Sequence, residues 1–510
     1  MSPEPDQPSG YHAARGTLYL LMKSLVFSGV GAILYVVIAR VLPATLDLGL
    51  YQGAQSLISM AVVFAGAGFA RAAIRLISFD IGSGSLNRAE STYPTVFVIG
   101  VMTSGIISAI VFALSGIIAQ TFFHNSSYSS LVQVSAIDVF LLTMITFSTS
   151  LLYSMQRFKT AFMISIANIA AKLVITVILL LAFSSVLSII LAFVLSDAIA
   201  LGLFIFSIIP KLRNKLLTFD EIKRLLKFST PLYGSSILDF LAKEMDIYVL
   251  LILSSLSVVG LYGPAVLIGT VLFWTLTALD QAFAPYFPRV FGKDGLASLQ
   301  QLFKVTSRYL FLLYIPLCFL ILASIPEVIT LLLGERFLGS IVPATVIVLS
   351  ITFTSMIVIF NNILMSTGHS RVFLLVSIIA LGVQLCISLL LIPSIGGLGA
   401  ALARASSYII LFLGPALLLR RTSGLHYDQR ALITGMVGSI IILGVVTLLN
   451  DVIPDKRFFV LNVVLAIFLY LVFLRFSKTV VPKDFEIMNN IFGSRGTQLI
   501  GLVSRIVIRS

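Results

Sequence analysis

Charge is scarce in this chain. Only 11% of its 510 residues are Asp, Glu, Lys or Arg, against roughly 25% in soluble domains. An ordinary soluble globular protein is thereby excluded. Cysteine is almost missing: Cys318 and Cys386 both fall in apolar segments, so neither a disulfide framework nor a thiolate metal site follows. The histidines, His12, His124, His369 and His426, lie in loops or tails and form no cluster. There is no P-loop, no HExxH and no Ser/His/Asp constellation. No stretch is large and polar enough to fold as a nucleotide-binding domain, which disfavours an ATP-driven pump. The first sixteen residues are polar, contain three prolines and lack the charged-then-apolar layout of a signal peptide, so the first apolar segment is expected to stay as a helix.

What the chain has instead is long apolar runs. It is 58% hydrophobic, and its mean hydropathy is +1.08. A membrane-spanning helix needs about 20 apolar residues. On that measure the sequence predicts an all-α polytopic membrane protein with about fourteen transmembrane helices, at 17–39, 48–70, 94–120, 130–154, 159–183, 186–209, 229–253, 257–282, 305–325, 341–366, 372–393, 397–419, 431–450 and 457–475. Net charge is +13. In this context it reads as topogenic charge rather than a nucleic-acid surface. With the N-terminus placed in the cytoplasm, 26 Lys and Arg fall on the cytoplasmic side and four outside. The positive-inside rule therefore predicts that both termini are cytoplasmic.

The predicted organisation is a cytoplasmic tail (1–16), a first lobe of six spans (17–209), a basic amphipathic linker (210–228), a second lobe of six spans (229–420), a further helix pair (421–480) and a basic amphipathic cytoplasmic tail (481–510). The two lobes show traces of a repeat. Gly49-Leu50-Tyr51 with Ala54 opens span two, and Gly260-Leu261-Tyr262 with Ala265 opens span eight, 211 residues later. Arg75 and Asp80 are echoed by Arg289 and Asp294, and Met155 and Lys159 by Met365 and Arg371. Parallel pseudo-symmetric lobes are a transporter layout with the substrate path between them.

The remaining cations, Lys23, Lys172, Lys243 and Arg404, sit inside the apolar segments. Charge at membrane depth is costly and normally faces a bundle interior or a wet path. In span seven, Asp239, Lys243 and Asp246 fall on one helical stripe while Glu244 points elsewhere. Two readings stand: a self-neutralising structural ion pair, or a cavity wall in which Lys243 meets an anion while the acids hold it or bind a coupling cation. Lys23, about 9 Å into span one, either snorkels to the surface or faces the path. Arg71 and Arg75, at i and i+4, are either topogenic or form a basic mouth whose guanidinium groups suit phosphate oxygens. Lys172 and Arg404 have Asp138 and Asp197 as the nearest candidate partners, and interhelical pairing is the expectation for both. The intramembrane acids also include Asp280; acids outnumber these cations, so counting alone leaves a cationic substrate open.

The chain resembles the polysaccharide-biosynthesis flippases, of the O-antigen flippase type, within the multidrug/oligosaccharidyl-lipid/polysaccharide (MOP) exporter superfamily. The resemblance is carried by Gly49-Leu50-Tyr51 with Gly66-Ala67-Gly68, by Pro231 with Asp246, by Gly260-Leu261-Tyr262 followed by Pro285 and Pro288, by Gly334-Glu335-Arg336-Phe337, by Met365-Ser366-Thr367-Gly368 and by Ile392-Pro393 through Ala401. It implies a MATE-like fold, alternating access, and a central path lined by spans one, two, seven and eight. It also implies a polyprenyl- or dolichyl-diphosphate oligosaccharide as partner, alongside membrane lipids and without nucleic acid. Lys23, Arg71, Arg75 and Lys243 become the headgroup candidates; Asp239, Glu244, Asp246, Asp138 and Asp197 are candidates for ion coupling or charge pairing. The expectation is a non-enzymatic functional monomer of the cytoplasmic (plasma) membrane, without cofactor or metal, coupled to Na+, H+ or the membrane potential. The alternative is a cation-coupled multidrug exporter of the same superfamily. The extra helix pair and a first span that carries Lys23 and no carboxylate weigh against it.

Overall fold

A computed structural model describes residues 9–212, 219–283, 286–422, 426–453, 458–477 and 479. Among them there is no strand. Backbone polar groups in lipid have no water to bind, so spanning segments satisfy them within a helix. The helices are α1 (Ser9–Val41), α2 (Thr45–Gly82), α3 (Leu86–Ala113), α4 (Ser115–Phe123), α5 (Ser129–Ser154), α6 (Phe158–Phe183), α7 (Val186–Leu212), α8 (Phe219–Leu253), α9 (Leu256–Phe283), α10 (Tyr286–Tyr309), α11 (Ile315–Val328), α12 (Ile341–Thr354), α13 (Ile357–Ser366), α14 (Ser370–Thr422), α15 (Gln429–Val452) and α16 (Phe459–Ser477).

Eleven stretches among the described residues are long and apolar enough to cross a membrane, and one of them, 371–420, has length for two crossings. It breaks at Gly396, whose φ of 52° is left-handed. A Cβ at Gly399 would lie 2.7 Å from the Leu391 carbonyl oxygen. The chain therefore doubles back within a few residues, and α14 is a hairpin of two helices, as the separate spans 372–393 and 397–419 require. Charge excludes α8 from the eleven, and α1 offers only Val26–Val41 as an apolar stretch. The third predicted span, 94–120, is broken at Leu114 into α3 and α4.

The residues group into two compact units, Met1–Gly263 with Leu385–Ala400, and Pro264–Gln384 with Ala401–Ser510. In the first unit α2 packs between α5, α8 and α3, and α5 packs on α7. In the second, α11 packs on α15 and α12, and α15 on α16.

Helix irregularities are covered by tyrosines from neighbouring helices. α2 kinks at Gly66, and Tyr233 Oη of α8 donates to the Phe64 carbonyl at 2.8 Å. The Phe147 ring fills the space where a Cβ on Gly66 would stand, 2.5 Å away, and a Cβ on Gly68 would meet the Tyr233 backbone at 2.5 Å. Gly66-Ala67-Gly68 thus serves both the kink and the close approach of α8. In the second unit, Leu310–Tyr314 forms a wide helical turn between α10 and α11, and Tyr470 Oη of α16 donates to the Leu312 carbonyl at 2.7 Å. A Cβ at Gly435 of α15 would lie 2.2 Å from the Phe311 carbonyl oxygen.

The two Gly-Leu-Tyr motifs meet each other. A Cβ at Gly49 would lie 1.8 Å from the Leu256 carbonyl oxygen, and a Cβ at Gly260 would lie 1.9 Å from the Thr45 carbonyl oxygen. Thr45 to Leu256 and Gly49 to Gly260 are both separated by 211 positions. The contact is reciprocal, which is what a local two-fold relation between equivalent helix starts produces.

Candidate functional site

In the first unit, α8 carries exposed polar or small residues at i, i+4 spacing: Pro231, Ser235, Asp239 and Lys243. A lipid-facing helix surface would be apolar, so this stripe requires water or a polar partner. Facing it on α2 are Arg71 and Arg75, also exposed. Arg71 Nη1 lies 3.8 Å from Asp239 Oδ2, with more than half of each side chain exposed. That is a loose, solvated pair worth about 0–1 kcal/mol. The Arg75 guanidinium sits over the Phe228 ring at 4.7 Å, which leaves its edge available for hydrogen bonds.

The sequence stripe of Asp239, Lys243 and Asp246 does not survive as one surface. Asp246 is fully buried and accepts a hydrogen bond from Tyr262. The reason is depth along the helix: Asp246 through Leu251 are all buried, whereas α8 before them is open on one side. Asp246 lies beside the Gly49–Gly260 crossing and not on the Arg71 surface. Glu244 is partly buried.

Lys23 is half-buried on α1. Its Nζ donates to Tyr153 Oη at 3.2 Å and lies over the rings of Phe27 and Tyr153 at 5.5 and 5.7 Å. It rests against the end of α5 rather than being drawn into contact with Asp239 as Arg71 is. Lys172 pairs with Asp197 at 2.8 Å, as the interhelical expectation has it, and stands over the Phe193 ring at 4.4 Å. Asn168 Nδ2 donates to the other Asp197 oxygen at 2.8 Å. Asp138 is fully buried nearby. Arg404 is buried in the second half of α14. The side chains of Asp280 and Asp294 lie outside the described residues.

The strongest ion-pair cluster among the described residues involves Glu221 and Arg224, which fall in the expected linker. Arg224 binds Asp80 through two parallel hydrogen bonds of 2.7 and 2.6 Å, and it also reaches Glu221 at 3.1 Å. Arg88 Nε donates to Glu221 at 2.8 Å, and Thr92 Oγ1 donates to its other oxygen at 3.3 Å. The hydrogen bonds that Arg224 donates to Asp80 hold its guanidinium protonated above even its ordinary range. Asp80 therefore answers to Arg224, not to Arg75 five residues before it. Residues 219–228 are the first turns of α8 and pack on α2 and α3, with Leu225 in a core with Ala72, Leu76 and Tyr93. Residues 213–218 of the expected linker, and the C-terminal tail beyond 480, lie outside the described residues. The Glu221/Arg224 spacing of i, i+3 was the available signal, since a strip meant only for a membrane surface does not need an acid one turn before an arginine. Replacing Arg224 with Ala leaves Asp80 buried and unpaired; the expected cost is about 3 kcal/mol, measured as a fall in thermal midpoint. Arg224→Lys restores only part of it because an ammonium cannot make the paired bonds.

The fold is that of the MOP-superfamily membrane transporters. The lipid II flippase MurJ in an inward closed conformation matches with a TM-score of 0.69 at 15% identity, over 89% of this chain and 97% of its own. A multidrug resistance MATE family transporter in an inward-facing conformation matches at 0.62 and 13% identity, over 79% and 99%. A mutant of the Vibrio cholerae MATE transporter VcmN matches at 0.56 and 15%, over 81% and 97%. The profile of the polysaccharide biosynthesis protein family matches residues 37–342, more than half of the sequence, and the chain belongs to that family. No curated protein matches it.

Proposed function

We propose that the protein is a flippase that carries a lipid-linked oligosaccharide from the cytoplasmic to the outer leaflet of the plasma membrane by alternating access. The observation that carries this reading is the polar stripe on α8 facing Arg71 and Arg75 across a loose pair with Asp239. A diphosphate competes well for such arginines, because Asp239 holds Arg71 at 3.8 Å, beyond hydrogen-bond distance. Phosphate oxygens accept from guanidinium groups in the paired geometry that this carboxylate does not supply. Lys243, one turn beyond Asp239, adds a third cation to the same face; Lys23 of α1, held on Tyr153, is a further candidate cation for the headgroup. The polyprenyl or dolichyl tail stays in lipid while the headgroup crosses by alternating access. Family membership and the lysine-bearing first helix support a lipid-linked sugar over a cationic drug. Both termini lie in the cytoplasm on this reading, which puts the Arg71 surface at the inner end and the Gly49–Gly260 crossing at the outer end. The protein works as a monomer.

The test is reconstitution in liposomes holding a polyprenyl-diphosphate oligosaccharide, with an impermeant glycosidase outside. Exposure of the inner-leaflet sugar to the glycosidase is expected with the protein and not without it. Extrusion of a cationic dye, with the lipid-linked sugar left in place, would establish the multidrug exporter instead.

A further inference from the structure

Deep in the first unit, away from the arginine surface, α5, α6 and α7 bring together Asp138, Lys172 and Asp197. Asp138 is 0% exposed, and neither of its carboxyl oxygens accepts a hydrogen bond from an N–H or hydroxyl group. A bare buried carboxylate costs several kcal/mol or more, so such groups are paired, metal-bound or neutral. The one ammonium in the cluster is committed elsewhere: Lys172 Nζ is on Asp197 Oδ2 at 2.8 Å, with Asn168 on Oδ1. Asp197 lies within reach of Asp138. Two facing carboxyls with no donor between them cannot both be ionised, and a proton on one makes the hydrogen bond that the pair otherwise lacks.

The helices packed on α5 supply no other charge at that level. α2 carries none between Asp47 and Arg71, and α3 none after Glu90. Lys172 and Asp197 are the charged groups that act on Asp138. A metal ion is disfavoured, because hard cations take several oxygen ligands and Lys172 already sits beside these carboxylates as a tethered cation. A proton needs only one lone pair.

We infer that Asp138 is the proton-carrying site of the transport cycle, with its O–H directed at Asp197 in this state and Lys172 as the cation that takes over when the proton leaves. On release the Asp138 O–H bond breaks, the electron pair stays on the carboxylate, and the proton passes to water. The Lys172 ammonium, keeping its own protons, then shares its N–H groups between Asp138 and Asp197. The proton site stands on the burial of Asp138 and its unpartnered oxygens; its coupling to lipid movement rests on the flippase reading.

Infrared spectroscopy of the intact protein labelled with carboxyl-13C aspartate reads the site without substrate. A protonated carboxylic-acid band near neutral pH that shifts with the label and is lost in Asp138→Asn is expected. If every labelled aspartate is ionised in the wild type, the inference is overturned, and this holds even should the variant fail to fold. In liposomes, an imposed tenfold proton gradient should shift the leaflet distribution of a polyprenyl-diphosphate oligosaccharide by up to about tenfold per proton carried. Asp138→Asn should abolish that shift. A variant that keeps the wild-type shift contradicts the inference. The two readings fail separately: an ionised Asp138 leaves the flippase reading intact, and a protonated Asp138 in a protein that moves no lipid-linked sugar leaves the proton site intact.

Discussion

Lys243→Ala is expected to lower translocation of a lipid-linked diphosphate sugar by about a hundredfold, in a protein that still folds and inserts. The residue is exposed on α8 one turn from Asp239, so its truncation opens no core cavity. What is lost is a charge-assisted bond to phosphate, worth about 1.5–3 kcal/mol, and each 1.4 kcal/mol is a factor of about ten. Asp239→Asn should act in the opposite sense on binding. It removes the carboxylate that shares Arg71, so the diphosphate no longer competes for that guanidinium, and affinity should rise. Translocation assays beside binding measurements on both variants separate these effects. Full translocation by Lys243→Ala removes this lysine from the headgroup site.

Gly49→Ala and Gly260→Ala should each destabilise the protein by about 1–3 kcal/mol, the usual cost of forcing atoms into a packed contact. The added Cβ would collide with backbone, at 1.8 Å from the Leu256 oxygen in one case and 1.9 Å from the Thr45 oxygen in the other. Backbone cannot rotate away as a side chain can. Because both collisions lie in one reciprocal crossing, their costs should not add: once one Cβ has parted α2 from α9, the second meets open space. The double variant should therefore melt close to the worse single variant. A cysteine pair at positions 45 and 256 should crosslink in the wild-type background and lose that reaction in either glycine variant. Additive melting shifts with unchanged crosslinking would contradict the close contact.

The architecture was legible because membrane insertion writes itself into composition. Apolar stretches of fixed length, and Lys and Arg gathered between alternate stretches, identify the helices and their order. The Gly-Leu-Tyr repeat was legible as an offset of 211, although only the structure shows the two copies touching. The pairing of charges was less so. Lys172 with Asp197 follows from depth along adjacent helices. Asp80 with Arg224 spans 144 positions and depends on α8 starting early enough to lie on α2, which residues 210–228 read as a basic strip do not reveal. Helical periodicity placed Asp239 and Asp246 on one stripe but says nothing of where along α8 the neighbouring helices close over it. Asp138 appeared as one intramembrane acid among six; that neither oxygen receives a donor is a property of the packed helices.

The central claim is that exposed cations on α2 and α8 take up a diphosphate headgroup. Its most direct test is equilibrium binding of short-chain prenyl-linked sugars to the purified protein, comparing diphosphate, monophosphate and uncharged linkages. Diphosphate binding should be tightest, roughly tenfold or more above monophosphate for the loss of one charge-assisted bond, weakened by added salt, and absent for the uncharged sugar. Equal binding of all three, indifferent to salt, would contradict the account.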